Sequence, residues 1–275
     1  MICCLDNNAI DRTKWDKLVS VSGQPYALSW WLDIVSPKWK ALVEDDYQAV
    51  MPLPVKRRFG ITYLVQPRFT QQLGLFGDGD INAFLRKIPY LSYDFNLNYT
   101  NSYNGSHSLT HINYIMDGSK EPDNNTQRNV KRSQNLEYKP INVETFMDFW
   151  TQHNGHLADP QLLKSLINSC NEHNMSRIDA AYFEERIVSA LFSICTTSRY
   201  VTLAPVSSPE GLQCRAMFGL MSRLIEQRGE RIIDFEGSMI PGVARFYRGL
   251  GGVEQPYLRI WRLSPRKKIK GGSIN

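Results

Sequence analysis

Two carboxylates, Asp234 and Glu236, stand two residues apart at the end of a strand-like run over Arg231–Phe235. Residues two apart on a continuing strand point to the same side of a sheet. Such a carboxylate beside a cleft can take a proton from an attacking amine. The plainer alternatives are that Asp234 caps the following turn and that Glu236 pairs with Arg245 or Arg248. Gly237 and Ser238 mark a turn where the backbone approaches either a substrate or the next helix closely. Tyr247 can give a proton or a hydrogen bond to a leaving group, or can pack with Phe246 in the core.

Cations supply a second group of candidates. Arg128, Lys131 and Arg132 stand at i, i+3 and i+4, which on a helix is one face. That face suits the phosphates of a tRNA, a nucleotide-sugar or a cofactor, or is simply solvated. Arg68, Gln71 and Gln72 lie in a Pro-bounded loop, where they can hydrogen-bond an acceptor peptide or sugar. His107 and His111 are four apart, but no acidic residue or cysteine accompanies them, so no metal site is expected. Cys3, Cys4, Cys170, Cys195 and Cys214 show no CxxC spacing. They predict neither a disulfide framework nor zinc, but a reducing compartment, and Cys195 and Cys214 read as buried, structural thiols.

The elements that must hold these residues read most clearly in the second half. Val143–His153 is predicted helical. Asp159-Pro160 opens another helix, Asp taking orphan N–H bonds and Pro suiting the first helical position. Arg177–Glu184, Arg186–Cys195 and Tyr200–Ser207 are predicted strands whose links are too short for anything but antiparallel hairpins. Ser208-Pro209 is predicted to start the next helix, with Met217, Leu220, Met221, Leu224 and Ile225 on its apolar stripe. A helix over Val243–Leu250 and a strand over Tyr257–Trp261 follow. The exposed helix start near Ser207, Ser208 and Gly211 would offer free N–H groups to a phosphate or a carbonyl oxygen. In the first half, helices are expected after Asp11 and over Tyr26–Val35, and strands over Lys40–Val43, Tyr47–Pro54 and Ile61–Gln66. The polar segment from Asp117 to Asn135 separates the halves, giving domains 1–118 and 119–275.

The chain has 275 residues, 42% of them hydrophobic, and a formal charge of +5. That supports two packed domains and argues against disorder or a strongly basic nucleic-acid-binding module. The N-terminus lacks the basic and apolar regions of a signal peptide, and no run approaches ~18 apolar residues, so a cytoplasmic protein without an integral membrane segment is expected. The basic run Arg266-Lys267-Lys268-Ile269-Lys270 reads as a solvated end.

Asp234-Phe235-Glu236-Gly237-Ser238 followed by Gly242–Arg248 and Gly251-Gly252 resembles the "DF-GS … F-K-FGG" segment of Fem-type proteins, peptidoglycan-bridge aminoacyltransferases of the GNAT acyltransferase superfamily. Gln127-Arg128-Asn129-Val130-Lys131-Arg132-Ser133 looks like the stretch that opens the family's second domain, and Gln66–Gly74 is similar to segments of Fem-like N-terminal halves. The resemblance implies an α/β (α+β) fold of two GNAT-like domains, each a mixed, mostly antiparallel sheet flanked by helices. It also implies a shared cleft between the domains and a chain end that returns to the first. It implies acyl transfer to an amine, with aminoacyl-tRNA as donor and a peptidoglycan precursor as acceptor. The chain departs from the family in lacking a coiled-coil arm. It also lacks a Q/R-x-x-G-x-G/A phosphate loop: Ser208-Pro209-Glu210-Gly211-Leu212-Gln213 stands there instead. No tightly bound cofactor is expected, and the donor is either aminoacyl-tRNA or acyl-CoA. The alternative is a non-catalytic GNAT-fold protein that binds an anionic envelope precursor or a protein partner.

Overall fold

A computed structural model describes residues 1–237 and 239–263. Ser238 and the basic run at 266–270 lie outside the described residues. The chain divides into two compact units, one of Met1–Ile112 with the chain from Gln255 onward, the other Asn113–Glu254. The sequence-based division at 118/119 differs in place, falling inside the second unit.

In the first unit, β1 (Ile2–Asp6), β2 (Lys40–Glu44), β3 (Ala49–Leu53) and the short β6 (Phe76–Gly77) form an antiparallel sheet. A second group begins with the hairpin β4 (Val55–Arg58)–β5 (Ile61–Val65), continues with β7 (Tyr93–Asn96) parallel to β5, and ends on β14 (Val253–Arg262) antiparallel to β7. Helices α1 (Arg12–Ser20), α2 (Ser29–Val35) and α3 (Ile81–Lys87) accompany these strands. The Asp11 carboxylate caps α1 by accepting from the Lys14 N–H, as its position before the first helical turn predicts. Trp15 and Trp39 pack with ring centroids 5.0 Å apart, and Met51, Leu53, Leu64, Phe84 and Phe95 form a dry core with Ile260. Each such side chain contributes about 1.5–3 kcal/mol by leaving water.

The second unit carries one sheet in the order β8-β13-β12-β11-β10-β9. Its members are the end of β8 (Ser108–Met116), β9 (Glu137–Pro140), β10 (Ser176–Phe183), β11 (Arg186–Cys195), β12 (Arg199–Ser207) and β13 (Ile232–Gly237). All neighbours are antiparallel except β12 and β13. The helices are α4 (Asn124–Arg132), α5 (Val143–Asn154), α6 (Pro160–Glu172), α7 (Pro209–Gln213), α8 (Ala216–Glu226) and α9 (Pro241–Gly249). Asp159 caps α6 and Pro160 fills its first position. The stripe Leu163, Leu166, Ile167 and Cys170 is buried, as is Leu220, Met221 and Leu224 on α8. After α9 the chain turns through Gly251, held at φ +88, where a β-carbon would come within 2.5 Å of the Lys120 carbonyl. Only glycine fits that combination of backbone and space.

The long helix after β12 does not begin at Ser208. That serine caps the five-residue α7, which ends at Gln213, and α8 starts afresh at Ala216 after Arg215 in the left-handed region, φ +62.

Candidate active site

The site follows from the way β12 and β13 part. Their parallel pairing covers only Arg199↔Ile232, Tyr200↔Ile233 and Val201↔Asp234, although β12 runs on to Ser207. Past Val201 the side of β12 that faced β13 has lost that partner, so its backbone groups need others. A cavity of about 340 Å³ lies in the second unit at this end of β12. Pro205, Val206, Leu212, Phe218, Val243 and Phe246 make its walls mainly apolar, with Tyr247, Arg215 and Asn154 as polar members. Phe218 and Phe246 meet edge to face at 4.8 Å, and Asn154 Nδ2 donates to the Pro205 carbonyl at 3.3 Å.

Tyr247 sits on α9 with its ring stacked on Phe235, centroids 5.0 Å apart and planes 5° apart. Burial, followed by the charges of Glu236 and Asp234, raises its phenol above the ordinary 10.0. Its side chain is also one of those that line the cavity. The packing that the sequence offered for Tyr247 is present, with Phe246 5.7 Å away as well as Phe235.

Arg215 stands where α7 gives way to α8. It is exposed at the cavity rim, and no carboxylate pairs with it among the described residues. A cation at a helix N-terminus opposes the helix dipole, and a non-glycine residue in the left-handed region is strained. Arg215 itself does not cap the α8 start, and the Cys214 sulfur takes the Ala216 N–H. Guanidinium and helix start together favour an anion at the rim. Sequence reading missed Arg215, because nothing in the string marks the break between α7 and α8; the signal available was that the apolar stripe begins only at Met217.

Asp234 is not a cleft carboxylate. It is fully buried, with Oδ2 3.0 Å from Arg199 Nη1, and Oδ1 accepting from Asn113 Nδ2 and the Glu236 N–H, both at 3.0 Å. Burial raises its pKa, with Arg199 and the two hydrogen bonds opposing. Its contacts make it the anchor of β13. The expected alternation with Glu236 also fails. A bulge lies between Asp234 and Gly237, where pairing with β8 shifts register, and Glu236 takes φ +56. An extra residue of this kind re-aims a side chain. Glu236 is half-buried, and its charge bears on Tyr247. Gly237 pairs with Asn113 at the end of the bulge.

The helix-start residues are occupied by the protein itself. Ser207 Oγ and Ser189 Oγ are 2.6 Å apart, Ser208 Oγ accepts the Gly211 N–H at 3.1 Å, and a β-carbon on Gly211 would lie 2.0 Å from the Val188 carbonyl oxygen. Ser207 and Gly211 line the cavity, but the Gly211 N–H expected to be free at the α7 start is capped by Ser208. In the first unit, Gln72 is fully buried, accepting from the Tyr99 N–H at 2.8 Å and donating to Gln71 Oε1 at 2.6 Å, while the Gln71 carbonyl accepts from Asn96 Nδ2. Those bonds tie the loop down, so Gln72 is a structural residue; Arg68 is exposed. Arg128, Lys131 and Arg132 are exposed on α4, and none lines the cavity beside Tyr247. The buried face of α4 is Thr126 and Asn129.

The histidines pack on aromatic rings, His107 on Trp261 and His111 on Tyr257. Burial pushes the Cys195 thiol up to about 11 and Cys170 up to about 12, which keeps both protonated and poorly nucleophilic.

No family model matches the sequence, and no curated protein matches it. Solved structures do match. FemX is 12% identical with a TM-score of 0.65, covering 91% of this chain and 96% of that one. A C-terminal domain of a putative lysylphosphatidylglycerol synthetase from Agrobacterium fabrum is 11% identical with a TM-score of 0.56, covering 92% of each chain. A tandem GNAT protein from the clavulanic acid biosynthesis pathway is 9% identical with a TM-score of 0.55, covering 95% and 98%. At these identities the likeness is one of fold: the chain is a mixed α/β protein with tandem GNAT-like domains.

Proposed function

We propose that this protein transfers an acyl or aminoacyl group to an amine acceptor in cell-envelope metabolism, and that the donor enters the opening where β12 and β13 part. The observation that carries the reading is the opening itself, where β12 runs on past its last pairing with β13 and the Tyr247 phenol is among the lining residues. In the proposed step the neutral amine attacks the donor carbonyl carbon and a C–N bond forms. Backbone N–H groups in the opening stabilise the oxyanion. The bond to the leaving sulfur or oxygen breaks, and Tyr247 gives that atom its proton. Glu236, directly or through one water, takes the proton from the amine. Direct transfer is proposed, since no activated nucleophile lines the cavity among the described residues.

Both donor classes, acyl-CoA and aminoacyl-tRNA, carry phosphates, and Arg215 with the α8 start is the proposed place for one of them. The Fem-type reading favours aminoacyl-tRNA; the absent glycine phosphate loop weighs against acyl-CoA without establishing the tRNA donor. The test is thermal unfolding with each donor. A donor at ~100 times its Kd stabilises by about 2.7 kcal/mol, which moves the midpoint by several degrees. No shift with either class would overturn the proposal.

The second reading, a non-catalytic protein that binds an anionic envelope precursor, draws on Ser208 occupying the Gly211 N–H that a phosphate would otherwise take. It predicts ligand stabilisation with no transfer by wild type.

A further inference from the structure

Three separate segments of the first unit end at one end of its β4-β5-β7-β14 sheet. The β4–β5 hairpin turns there, because Arg58 pairs with Ile61. β7 starts there, because Leu64 of β5 lies level with Tyr93. β14 finishes there, because Arg262 lies level with Tyr93. At ~3.3 Å per strand residue, Ile61 projects about 10 Å beyond that level. Arg262 donates to the carbonyls of Tyr90 and Leu91, and Ser92 Oγ donates to the Leu263 carbonyl at 2.5 Å. The neighbouring ends are thereby tied together.

This end presents apolar side chains to solvent. Phe59 is 88% exposed, Ile61 66%, Leu91 82% and Leu263 74%. Single exposed apolar residues are unremarkable in folded proteins, but four gathered at one sheet end mark an interaction surface. The segments that carry them hold charges of one sign, and the carboxylate that bears on neighbouring Tyr90, that of Asp6, pairs with Lys40. Lys56, Arg57 and Arg58 are exposed on the hairpin. Stretches 54–65, 86–93 and 258–270 contain no Asp or Glu. Beyond Leu263 the sequence continues with Arg266, Lys267, Lys268 and Lys270, which lie outside the described residues. The Arg58 guanidinium lies 5.0 Å from the Phe59 ring centre, so cation and apolar body are presented as a unit. No helix among the described residues is long and apolar enough to cross a membrane.

We infer that this sheet end docks on an anionic lipid bilayer, with Phe59, Ile61, Leu91 and Leu263 entering the headgroup region and Lys56, Arg57 and Arg58 facing lipid phosphates. Stable attachment to a bilayer takes two signals, apolar insertion and basic charge, and this surface carries both. The inference is independent of the proposed acyl transfer.

The test is co-sedimentation of the full chain with vesicles of phosphatidylcholine alone and with about 30 mol% phosphatidylglycerol added. Each cation near an anionic surface is worth about fivefold in affinity. Binding to the anionic vesicles is expected to be at least about tenfold tighter, and to fall steeply as salt rises from about 0.05 to 0.5 M. Phe59→Ser with Ile61→Thr, and separately Arg57→Glu with Arg58→Glu, should each weaken it about tenfold or more without moving the melting temperature. Should either pair melt early, the salt series on the unmodified protein decides. Equal affinity for the two vesicle types, salt-insensitive binding, no binding, or undiminished binding by correctly folded variants would overturn the inference. So would tighter binding to a homopolymeric RNA than to anionic vesicles, or a dimer in gel filtration that the Phe59→Ser, Ile61→Thr pair dissolves.

Discussion

The rings of Phe235 on β13 and Tyr247 on α9 lie stacked, 5° from parallel and 5.0 Å apart. The contact fixes the phenol beside the opening of the sheet, on the strand that carries the Glu236 bulge. Strand, bulge and helix thus converge on one hydroxyl.

Tyr247→Phe keeps the stack and removes only the hydroxyl. Stability should change by less than about 1 kcal/mol, while the transfer rate falls about 10²–10⁴-fold, the usual worth of a positioned acid. Because the phenol is raised above its ordinary value, wild-type activity should show no alkaline loss from Tyr247 through the ordinary tyrosine range. A pH profile of kcat checks the sign.

Arg215→Ala should raise KM for phosphate-bearing donors about tenfold with kcat nearly unchanged, since charge at the rim acts on binding. The effect should shrink with salt. Steady-state kinetics at two ionic strengths measure it.

The Arg199–Asp234 pair predicts a stability loss with a particular signature. Asp234→Ala leaves a buried guanidinium without its carboxylate and should cost about 3–5 kcal/mol. The double variant Arg199→Ala, Asp234→Ala should cost less than the sum of the singles. Urea unfolding of the four proteins gives the cycle. A purely catalytic Asp234 would leave stability intact.

Gly211 and Gly242 should respond oppositely to alanine. At Gly211 the added carbon meets the Val188 carbonyl oxygen at 2.0 Å, so α7 must move, at a cost of about 1–3 kcal/mol. At Gly242, inside α9, nothing lies within 4 Å. There alanine should stabilise by about 0.5–1 kcal/mol through helix propensity.

Stability should fall at high pH. In the folded state Cys195 and Cys170 hold protons up to about 11 and about 12, against the ordinary 9.0. Above pH 9.0 the unfolded chain releases those protons first and so binds fewer than the folded state. Stability therefore declines as pH rises from there through the folded values, and the contribution is fully present below pH 9.0. Cys170→Ala should make that decline shallower in denaturant titrations.

Much of the second unit was legible because its signals are local. Asp159-Pro160 announces α6, and the short links Glu185 and Thr196–Arg199 leave no connection but hairpins. What could not be read is what backbone geometry decides. The left-handed Arg215 splits one expected helix into two. The bulge at Glu236 undoes an alternation that the spacing of Asp234 and Glu236 suggests. The buried state of Asp234 and Gln72 depends on Arg199 and Tyr99, remote in sequence. Phe246 reads as a core residue, and only the parting of β12 from β13 makes it a cavity wall.

Hydrogen–deuterium exchange of the full chain, with acyl-CoA and with charged tRNA, tests the central claim most directly. Slowed exchange is predicted for one donor in residues 203–218 and 239–247, around the end of β12, the start of α8 and the first turns of α9. Protection confined to other segments, or none with either donor, would contradict it.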